Sequence, residues 1–295
     1  MQTVRVEHLA DGGLAARFQA MASPCEVLVD GADENELAEL GLLAARECWR
    51  IQAKWSRYQA GNIVDAINSA AGQTIEVDEE TAGLIEFAAQ LHAGSEGRFD
   101  LTAGLLRRVW SFREGATVPD PAAVEALLPH IGWHRVVWQA PALRMLPGME
   151  LDFGGVGKEY AVDRALALLS QATSRPALVN LGGDLAANRA RSDGSCWRIG
   201  IDSGVDRTAT PLIRLTRGAV ATSGDHHRYI TLGGRRYGHV IDPRTGWPPP
   251  QAPRSVTVAG ASCSEAGALT TIAILYGADA GDWLRSQQVD FHVVT

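Results

Sequence analysis

Apolar residues recur along the chain with two periods, and these periods predict its secondary structure. From Leu37 to Trp55 they recur at three- and four-residue steps, and Asp33 with Glu36 forms a capping box before them, which together predict a helix. Short apolar runs bounded by glycine predict strands. Helices are predicted at 33–55, 78–92, 158–170 and 265–276, and strands at 25–29, 177–181, 197–201, 229–232, 235–241, 255–259 and 289–294.

The order of these elements favours an α+β fold. Helices and hairpins are mixed without the regular alternation of a doubly wound sheet. The pair Gly233-Gly234 predicts a tight hairpin between two of the strands. With no linker or internal repeat, residues 1–295 are predicted to form a single domain, with two lobes as the alternative.

Charge and composition exclude two classes of function. A formal net charge of −7 without a run of Lys or Arg argues against nucleic-acid binding. No stretch reaches the roughly 18 to 20 apolar residues of a membrane helix, so the chain is predicted not to span a membrane. The first 13 residues lack a signal-peptide core, which predicts a cytoplasmic protein, or a periplasmic one if a leader is removed before this numbering begins. The four scattered cysteines predict buried free thiols.

Two glycine-rich turns are candidates for a phosphate or a flat ligand. Asp152-Phe-Gly-Gly-Val-Gly-Lys158 joins a strand to a helix start, where backbone N–H groups and Lys158 can meet a phosphate. Asn180-Leu-Gly-Gly-Asp184 ends an apolar strand and allows close backbone approach. An ordinary turn is the alternative in both places.

Three further segments carry polar or aromatic candidates. Asp100 and Thr102 could contact a ligand or simply cap a helix. Tyr58 could offer an aromatic face or belong to the core with Trp55. His226 and His227 are adjacent, so in a strand they point to opposite faces and are a poor zinc site.

His239, before the Asp242-Pro243 turn, is either structural or a proton acceptor.

Taken in order, these segments resemble the ApbE family, the FAD:protein FMN transferases. The resemblance extends from about Phe18 to Gly277 and is strongest in its last segments. The matching segments are Met21-Ala-Ser23, Trp55-Ser-Arg-Tyr58 with Asn68, Phe99 to Thr102, Asp152 to Lys158, Asn180 to Asp184, Thr222-Ser-Gly-Asp225 and His239-Val-Ile-Asp-Pro-Arg-Thr-Gly246.

The resemblance implies a T-fold-related α+β protein with largely antiparallel sheets, and it implies a ligand and a reaction. Such an enzyme cleaves FAD, releases AMP and joins FMN by its phosphate to a threonine or serine of an acceptor flavoprotein subunit. Lys158 is then the candidate for phosphate stabilisation, and His239 the candidate group near the reacting phosphate. FAD contacts are implied at Met21, Tyr58, Asp100, Thr102, Asp152, Lys158, Asp184 and the backbone of Ile241.

The resemblance also implies a Mg²⁺ site, and here the sequence departs from the family. The carbonyl ligand maps to Gly155 and the threonine ligand to Thr271, but Gly267 stands at the position of the aspartate ligand. Loss of a carboxylate weakens a Mg²⁺ site, because the remaining ligands are neutral oxygens.

Three explanations remain open for Gly267. In the first, the protein binds FAD, or hydrolyses it, without transferring FMN. In the second, another acid serves as the ligand. In the third, Lys158 and metal brought with the nucleotide suffice. The candidate acids are Asp225, Asp242 and, ranked below them, Glu265.

Overall fold

The fold is built on one antiparallel sheet with helices packed on one of its faces. The computed structural model describes residues 2–10, 12–200, 212–225 and 228–295. Within these residues the strands are, in chain order, β1 (Arg5–His8), β2 (Leu14–Ala20), β3 (Ser23–Val29), β4 (Ile75–Glu76), β5 (Val137–Gln139), β6 (Ala142–Arg144), β7 (Ala177–Leu181), β8 (Asp184–Ala187), β9 (Trp197–Gly200), β10 (Leu212–Leu215), β11 (Gly218–Gly224), β12 (Tyr229–Leu232), β13 (Arg235–Gly238), β14 (Ser255–Gly260) and β15 (Asp290–Val294).

The helices lie between these strands in the chain. They are α1 (Glu34–Trp55), α2 (Ile63–Ser69), α3 (Glu79–Gly94), α4 (Pro121–Glu125), α5 (Gly157–Ala172), α6 (Cys263–Leu275) and α7 (Ala280–Ser286). In addition, 3-10 helices lie at Leu101–Arg108, Leu128–His130, Trp133–Arg135 and Gly277–Asp279.

The main sheet has the strand order β1-β2-β3-β7-β8-β11-β14-β15, and every neighbouring pair is antiparallel. Helices α1, α5 and α6 pack on one face, against β2–β3, β7–β8 and β11–β14 respectively. Side chains alternate between the two faces of a strand. In β7, Val179 and Leu181 therefore belong to the core under the helices, whereas Leu178 joins Trp197 and Leu215 on the opposite face, where β9 and β10 lie.

A second, smaller core lies beside the main one. Leu105, Leu106 and Trp110 pack with Val124 of α4 and Ile230 of the β12–β13 hairpin. Trp110 also donates a hydrogen bond from Nε1 to the Gly246 carbonyl, at 2.9 Å. The α+β prediction is confirmed, whereas the choice between a single domain and two lobes stays a prediction.

Most predicted elements are present, with small shifts at their ends. Asp33 and Asp78 cap α1 and α3, accepting hydrogen bonds from Glu36 N and Thr81 N. Glu36 does not complete the capping box, because its carboxylate pairs with Arg175. All four cysteines are free, and Cys196 is only half-buried while the others are buried.

The predicted strand 235–241 is too long. β13 ends at Gly238, because its partner strand begins at Tyr229, which lies opposite Gly238 in the register. The next residues turn instead: the Asp242 carboxylate accepts a hydrogen bond from Arg244 N, and Gly246 N donates to the Asp242 carbonyl. Ile241 is therefore in a loop. Ile201, the last residue of the predicted strand 197–201, lies outside the described residues.

Among the described residues, no helix is both long enough and apolar enough to cross a bilayer.

Candidate functional site

At the first turn of α5, Lys158 and Glu159 lie beside Asp184, the first residue of β8. Lys158 pairs through Nζ with the Asp184 carboxylate. Burial alone would lower the pKa of Lys158, but the charges of Asp184 and Glu159 raise it. The ammonium therefore stays charged, and it lies at the helix N-terminus, where backbone N–H groups and the helix dipole also favour an anion.

Asp184 is fixed by its position in the sheet. It pairs with Leu181 across the β7–β8 turn, and its Oδ1 accepts a hydrogen bond of 2.9 Å from Thr222 N of β11. Asp184 and Ala186 share the face under the helices, as do Ser223 and Ala221 of β11. These strand ends therefore present oxygen atoms to α5 and α6.

Helices α5 and α6 are held together by two contacts, one turn apart on each helix. Asp163 of α5 accepts hydrogen bonds from Cys263 N and Ser264 N at the start of α6, both at 2.8 Å. One turn earlier on α5, Glu159 contacts Gly267, which is one turn later on α6. The helices thus run in opposite directions, and Asp163 fixes their register.

Glu159 is a buried carboxylate with incomplete hydrogen bonding. The residue is 8% exposed, and its Oε2 has no hydrogen-bond partner. Burial, followed by the charge of Asp184, raises the pKa of Glu159 to about 8. A group of this kind is expensive to bury unless a proton or a cation accompanies it.

Asp152 joins this turn to a group of arginines. Its Oδ1 accepts a hydrogen bond from Gly154 N at 2.8 Å, which closes the glycine-rich turn. Its Oδ2 pairs with Arg57 at 3.3 Å and with Arg107 at 3.2 Å. Asp152 therefore connects the end of α1, the glycine-rich turn and the 3-10 helix Leu101–Arg108.

The polar side-chain atoms of Asp100 and Thr102 form hydrogen bonds within the protein. Asp100 Oδ1 accepts hydrogen bonds from Thr102 N and Oγ1, at 2.8 and 2.6 Å, and Asp100 Oδ2 accepts one from Trp133 N at 2.7 Å. Thr102 is fully buried. Asp100 thus caps the 3-10 helix that carries Arg107, as the alternative interpretation expects, and direct contact of either residue with FAD stays a prediction.

The β2–β3 turn at Met21 lies beside the β7–β8 turn. Met21 and Ala22 both have left-handed backbones, with φ of 52° and 57°. Glycine is the residue that adopts this conformation without strain, so Ala22 costs about 1–2 kcal/mol relative to a glycine there. Gly182 N donates to the Pro24 carbonyl at 2.9 Å, and a Cβ at Gly182 would lie 2.8 Å from Ser23. The two turns therefore meet backbone to backbone.

Tyr58 is exposed, whereas Trp55 is core. The side chain of Tyr58 is 78% exposed and that of Trp55 is 6% exposed. Helix α1 ends at Trp55 because Ser56 is extended, which takes Tyr58 off the buried face. Arg57 lies beside the Tyr58 ring, 6.0 Å from its centroid, and bonds Asp152. An aromatic face is thus available next to the glycine-rich turn.

His239 is half-buried beside the smaller core, close to two arginines. Its Nδ1 is buried without a hydrogen-bond partner, and its ring lies edge-on to Phe112 at 6.3 Å. Burial, together with the charges of Arg228 and Arg107, lowers the pKa of His239 to about 4, against the opposite effect of Asp225. The imidazole is therefore neutral near pH 7. His226 and His227 lie outside the described residues.

The acids considered as replacements for an aspartate at Gly267 are engaged or exposed. Asp225 pairs with Arg236 at 2.6 Å, and Asp242 pairs with Arg244 at 2.6 Å. Glu265 is exposed on the first turn of α6. Thr271, the threonine expected beside a metal, hydrogen-bonds Ser223 at 3.2 Å. No group of three or more His, Cys, Asp or Glu side chains that could hold a metal is found within the described ranges.

Sequence reasoning missed Glu159. The signal was present but weak: Glu159 follows Lys158 directly and lies one helical turn before Asp163, so both acids share the face of α5 that meets α6. Nothing local connects Glu159 with Gly267, which is distant in the chain.

A surface groove lies apart from these residues. It has a volume of about 570 Å³ and is lined by residues of α3 and α5, among them Glu80, Phe87 and Tyr160. None of the residues predicted to contact FAD lines it, so we do not assign it to the site.

Known sequences resemble this chain over most of its length. Residues 21–294 match the profile of the ApbE family. A FAD:protein FMN transferase of Salmonella typhimurium is 30% identical over 68% of this chain and 60% of its own length, so the aligned part falls short of two thirds of that relative. A FAD:protein FMN transferase of Haemophilus influenzae is 26% identical over 94% of this chain and 78% of its own length.

Solved structures share the fold. The ApbE protein of Thermotoga maritima superposes with a TM-score of 0.85 at 28% identity, covering 98% of this chain and 94% of that one. The flavinyl transferase ApbE of Pseudomonas stutzeri, in its apo form, superposes with a TM-score of 0.83 at 27% identity, covering 99% and 92%. Because the family profile covers residues 21–294, most of the chain, we conclude that this chain belongs to the ApbE family.

Proposed function

We propose that this protein is an FAD:protein FMN transferase, which cleaves FAD and attaches FMN through a phosphoester to a threonine or serine of an acceptor flavoprotein subunit. The supporting observation is the convergence of the matching segments. Lys158 meets Asp184 at the start of α5, and Asp152 links the same turn to Arg57 beside the exposed Tyr58. Backbone N–H groups, a charged ammonium and an aromatic face suit a dinucleotide with a flat ring and a pyrophosphate.

In the proposed reaction, the acceptor hydroxyl oxygen attacks the phosphorus on the FMN side of the pyrophosphate. A new P–O ester bond forms, the phosphoanhydride bond breaks, and AMP leaves with the bridging oxygen. The hydroxyl proton leaves the nucleophile and is released to solvent. Lys158 neutralises charge on the phosphates, and the unpartnered Nδ1 of His239 can accept a hydrogen bond from the hydroxyl.

Mg²⁺, when bound, would supply further charge neutralisation on the pyrophosphate. The surroundings of Gly267 fit a hard cation, because its neighbours on α5, α6 and β11 carry oxygen atoms: Glu159, Thr270, Thr271 and Ser223. The Gly155 carbonyl and Thr271 are the ligands that the family resemblance assigns.

A second candidate is an FAD-binding protein or FAD pyrophosphatase without transfer activity. Gly267 favours this candidate, since the family's acidic ligand is absent from that position. The two candidates share the ligand and differ in the fate of the flavin.

The test is to incubate the full chain with FAD, MgCl₂ and an acceptor protein that the FAD:protein FMN transferase of Haemophilus influenzae labels, with that enzyme as positive control. Covalent flavin is followed by in-gel fluorescence and mass, and AMP by chromatography. Both products in equal amounts support transfer. AMP without covalent flavin supports the pyrophosphatase. FAD binding, seen as a raised melting temperature with FAD left whole, supports the binding protein.

A further inference from the structure

The volume beside Gly267 is filled by the side chain of Glu159. A Cβ built at Gly267 would lie 2.4 Å from Glu159 Cγ, 3.1 Å from Cδ and 3.3 Å from Oε1. Non-bonded contacts of 2.4 Å do not occur at real Cβ atoms, so a side chain at position 267 and the present Glu159 exclude each other. The Glu159 carboxylate therefore lies close to where the carboxylate of an aspartate at 267 would lie.

One carboxylate oxygen of Glu159 also lacks a hydrogen-bond partner. Its Oε2 is buried and accepts no hydrogen bond in the described part of the chain, although the residue is 8% exposed. An unpaired buried carboxylate oxygen loses its hydration without compensation, which costs several kcal/mol. Lys158, the residue before Glu159, pairs with Asp184. The Oε2 atom of Glu159 is therefore available to bind a cation.

Neutral oxygens of α6 and β11 lie around the same helix turn. Ser223 Oγ lies 2.8 Å from Thr270 Oγ1 and 3.2 Å from Thr271 Oγ1. Thr271 is one helical turn after Gly267, and so lies on the face of α6 that Glu159 contacts. Carboxylate and hydroxyl oxygens are the ligand types that Mg²⁺ prefers.

We propose that Glu159, reaching from α5 to α6, replaces the missing aspartate at position 267 as the acidic ligand of a divalent cation beside Thr271. The role of this cation in catalysis rests on the proposed function, but its binding does not. The proposal also gives Gly267 a reason: only glycine leaves room for the Glu159 side chain.

The test measures cation binding directly, using Mn²⁺ and its electron paramagnetic resonance signal, together with Mg²⁺ calorimetry. Both are carried out on the full chain with and without FAD. We expect Glu159→Gln, which keeps the shape and removes the charge, to weaken Mn²⁺ binding at least roughly tenfold, since losing even an outer-shell partner costs that much. Glu265→Gln makes the same change on the exposed start of α6 and should bind Mn²⁺ like the wild type.

An exchange of the two positions guards against a variant that fails to fold. The double variant Glu159→Gly/Gly267→Asp returns a carboxylate from α6 and should recover Mn²⁺ binding to within a few-fold of the wild type, whereas Glu159→Gly alone should lose it. The proposal is overturned if the wild type binds no Mn²⁺ with or without FAD, if Glu159→Gln binds normally, or if Glu265→Gln is the variant that loses binding.

The same samples separate this proposal from the proposed function. Mn²⁺ binding that depends on Glu159, in a protein that releases no AMP from FAD, would reject the transferase and keep the cation site. Flavin transfer by a protein whose Glu159→Gln variant binds Mn²⁺ normally would do the reverse.

Discussion

The pKa values of two titratable groups, Glu159 and His239, are shifted in opposite directions, although burial favours the neutral form of both. At the start of α5, burial beside Asp184 raises the pKa of the Glu159 carboxyl to about 8. Beside the smaller core, burial near Arg228 and Arg107 lowers the pKa of the His239 imidazole to about 4. Desolvation favours the neutral form of both, but the nearby charges differ in sign. The carboxylate of Asp184 beside Glu159 therefore favours a cation there, and the arginines near His239 favour an anion; Asp152 connects the two regions through Arg107.

The largest effect should follow from removing the ammonium of the α5 region. Lys158→Met leaves Asp184 unpaired and removes positive charge from the proposed phosphate site, so we expect AMP release from FAD to fall by roughly 100-fold or more. The measurement is the initial rate at saturating FAD. Lys54→Met also breaks an ion pair, with Asp78 and Glu80, but lies outside the site and should keep the wild-type rate. Equal losses in both variants would mean that the Lys158 effect is structural.

Crowding the α5–α6 contact should have the next largest effect. Gly267→Asp alone forces a side chain against Glu159 and adds a second acid, and overpacking of this kind costs about 1–3 kcal/mol. We expect a melting temperature lowered by several degrees, measured by calorimetry. Gly83→Asp is the matched control, since Gly83 lies in α3 with nothing within 4 Å of a Cβ. A Gly267→Asp variant as stable as Gly83→Asp would show that Glu159 does not occupy this volume.

The His239 region can be tested through pH. The folded pKa of about 4 is below the unfolded value of about 6.5. The unfolded chain therefore takes up the proton first, and the stability contribution, complete above pH 6.5, is lost as pH falls towards 4. Between pH 6.5 and 5 the free energy of unfolding should fall by up to about 1.4 kcal/mol per pH unit. His239→Gln should flatten this slope in urea titrations.

His92 is the control for this pH experiment, because its pKa is raised whereas that of His239 is lowered. Its hydrogen bond with Asp100 raises the pKa of His92, so its contribution is complete below pH 6.5 and is lost as pH rises through the folded pKa. His92→Gln should change the alkaline side of the profile and leave the slope between pH 6.5 and 5 intact. An unchanged slope in His239→Gln would mean that His239 is not buried as described.

The smallest effect should follow from substitution of Tyr58, and it tests whether one FAD molecule extends from the α5 region to the His239 region. Tyr58 lies beside the Arg57–Asp152 pair that connects them, and it is exposed. Tyr58→Ala should weaken FAD binding by about 1 kcal/mol, the lower end of ring-stacking energies, and leave the melting temperature of the free protein nearly unchanged. Tyr58→Phe should bind FAD like the wild type. Calorimetric titration measures both, and unaltered affinity in Tyr58→Ala would exclude stacking there.

Sequence periodicity predicted the elements that bury one face. Helix α1 lies where the apolar repeat predicts it, because burial of one helix face leaves a period in the sequence. Strand β7 is buried on both faces, and it lies where a short apolar run predicts it. Strands β1, β2, β8 and β11 of the main sheet were missed, and β13 was predicted too long because its end is set by its partner strand. Register of this kind depends on pairing and is not encoded locally.

The candidate site was predictable only in part, for a related reason. The glycine-rich turns and Lys158 are local segments, so the order of motifs was enough to find them. The contact of Glu159 with Gly267 joins two helices whose register is set by Asp163 bonding the start of α6. That information appears only when the helices are packed.

The mutual exclusion of a side chain at 267 and Glu159 has a consequence for how this chain arose. An ancestor with aspartate at 267 could not acquire the glutamate in its present rotamer first, since the two would collide. On the proposed cation site, glycine at 267 must come before the glutamate in its present rotamer, and on this route the cation would be held weakly between the two changes. Descendants of that route should carry an acid at one of the two positions and a small residue at the other. An ancestral reconstruction can be checked for that order.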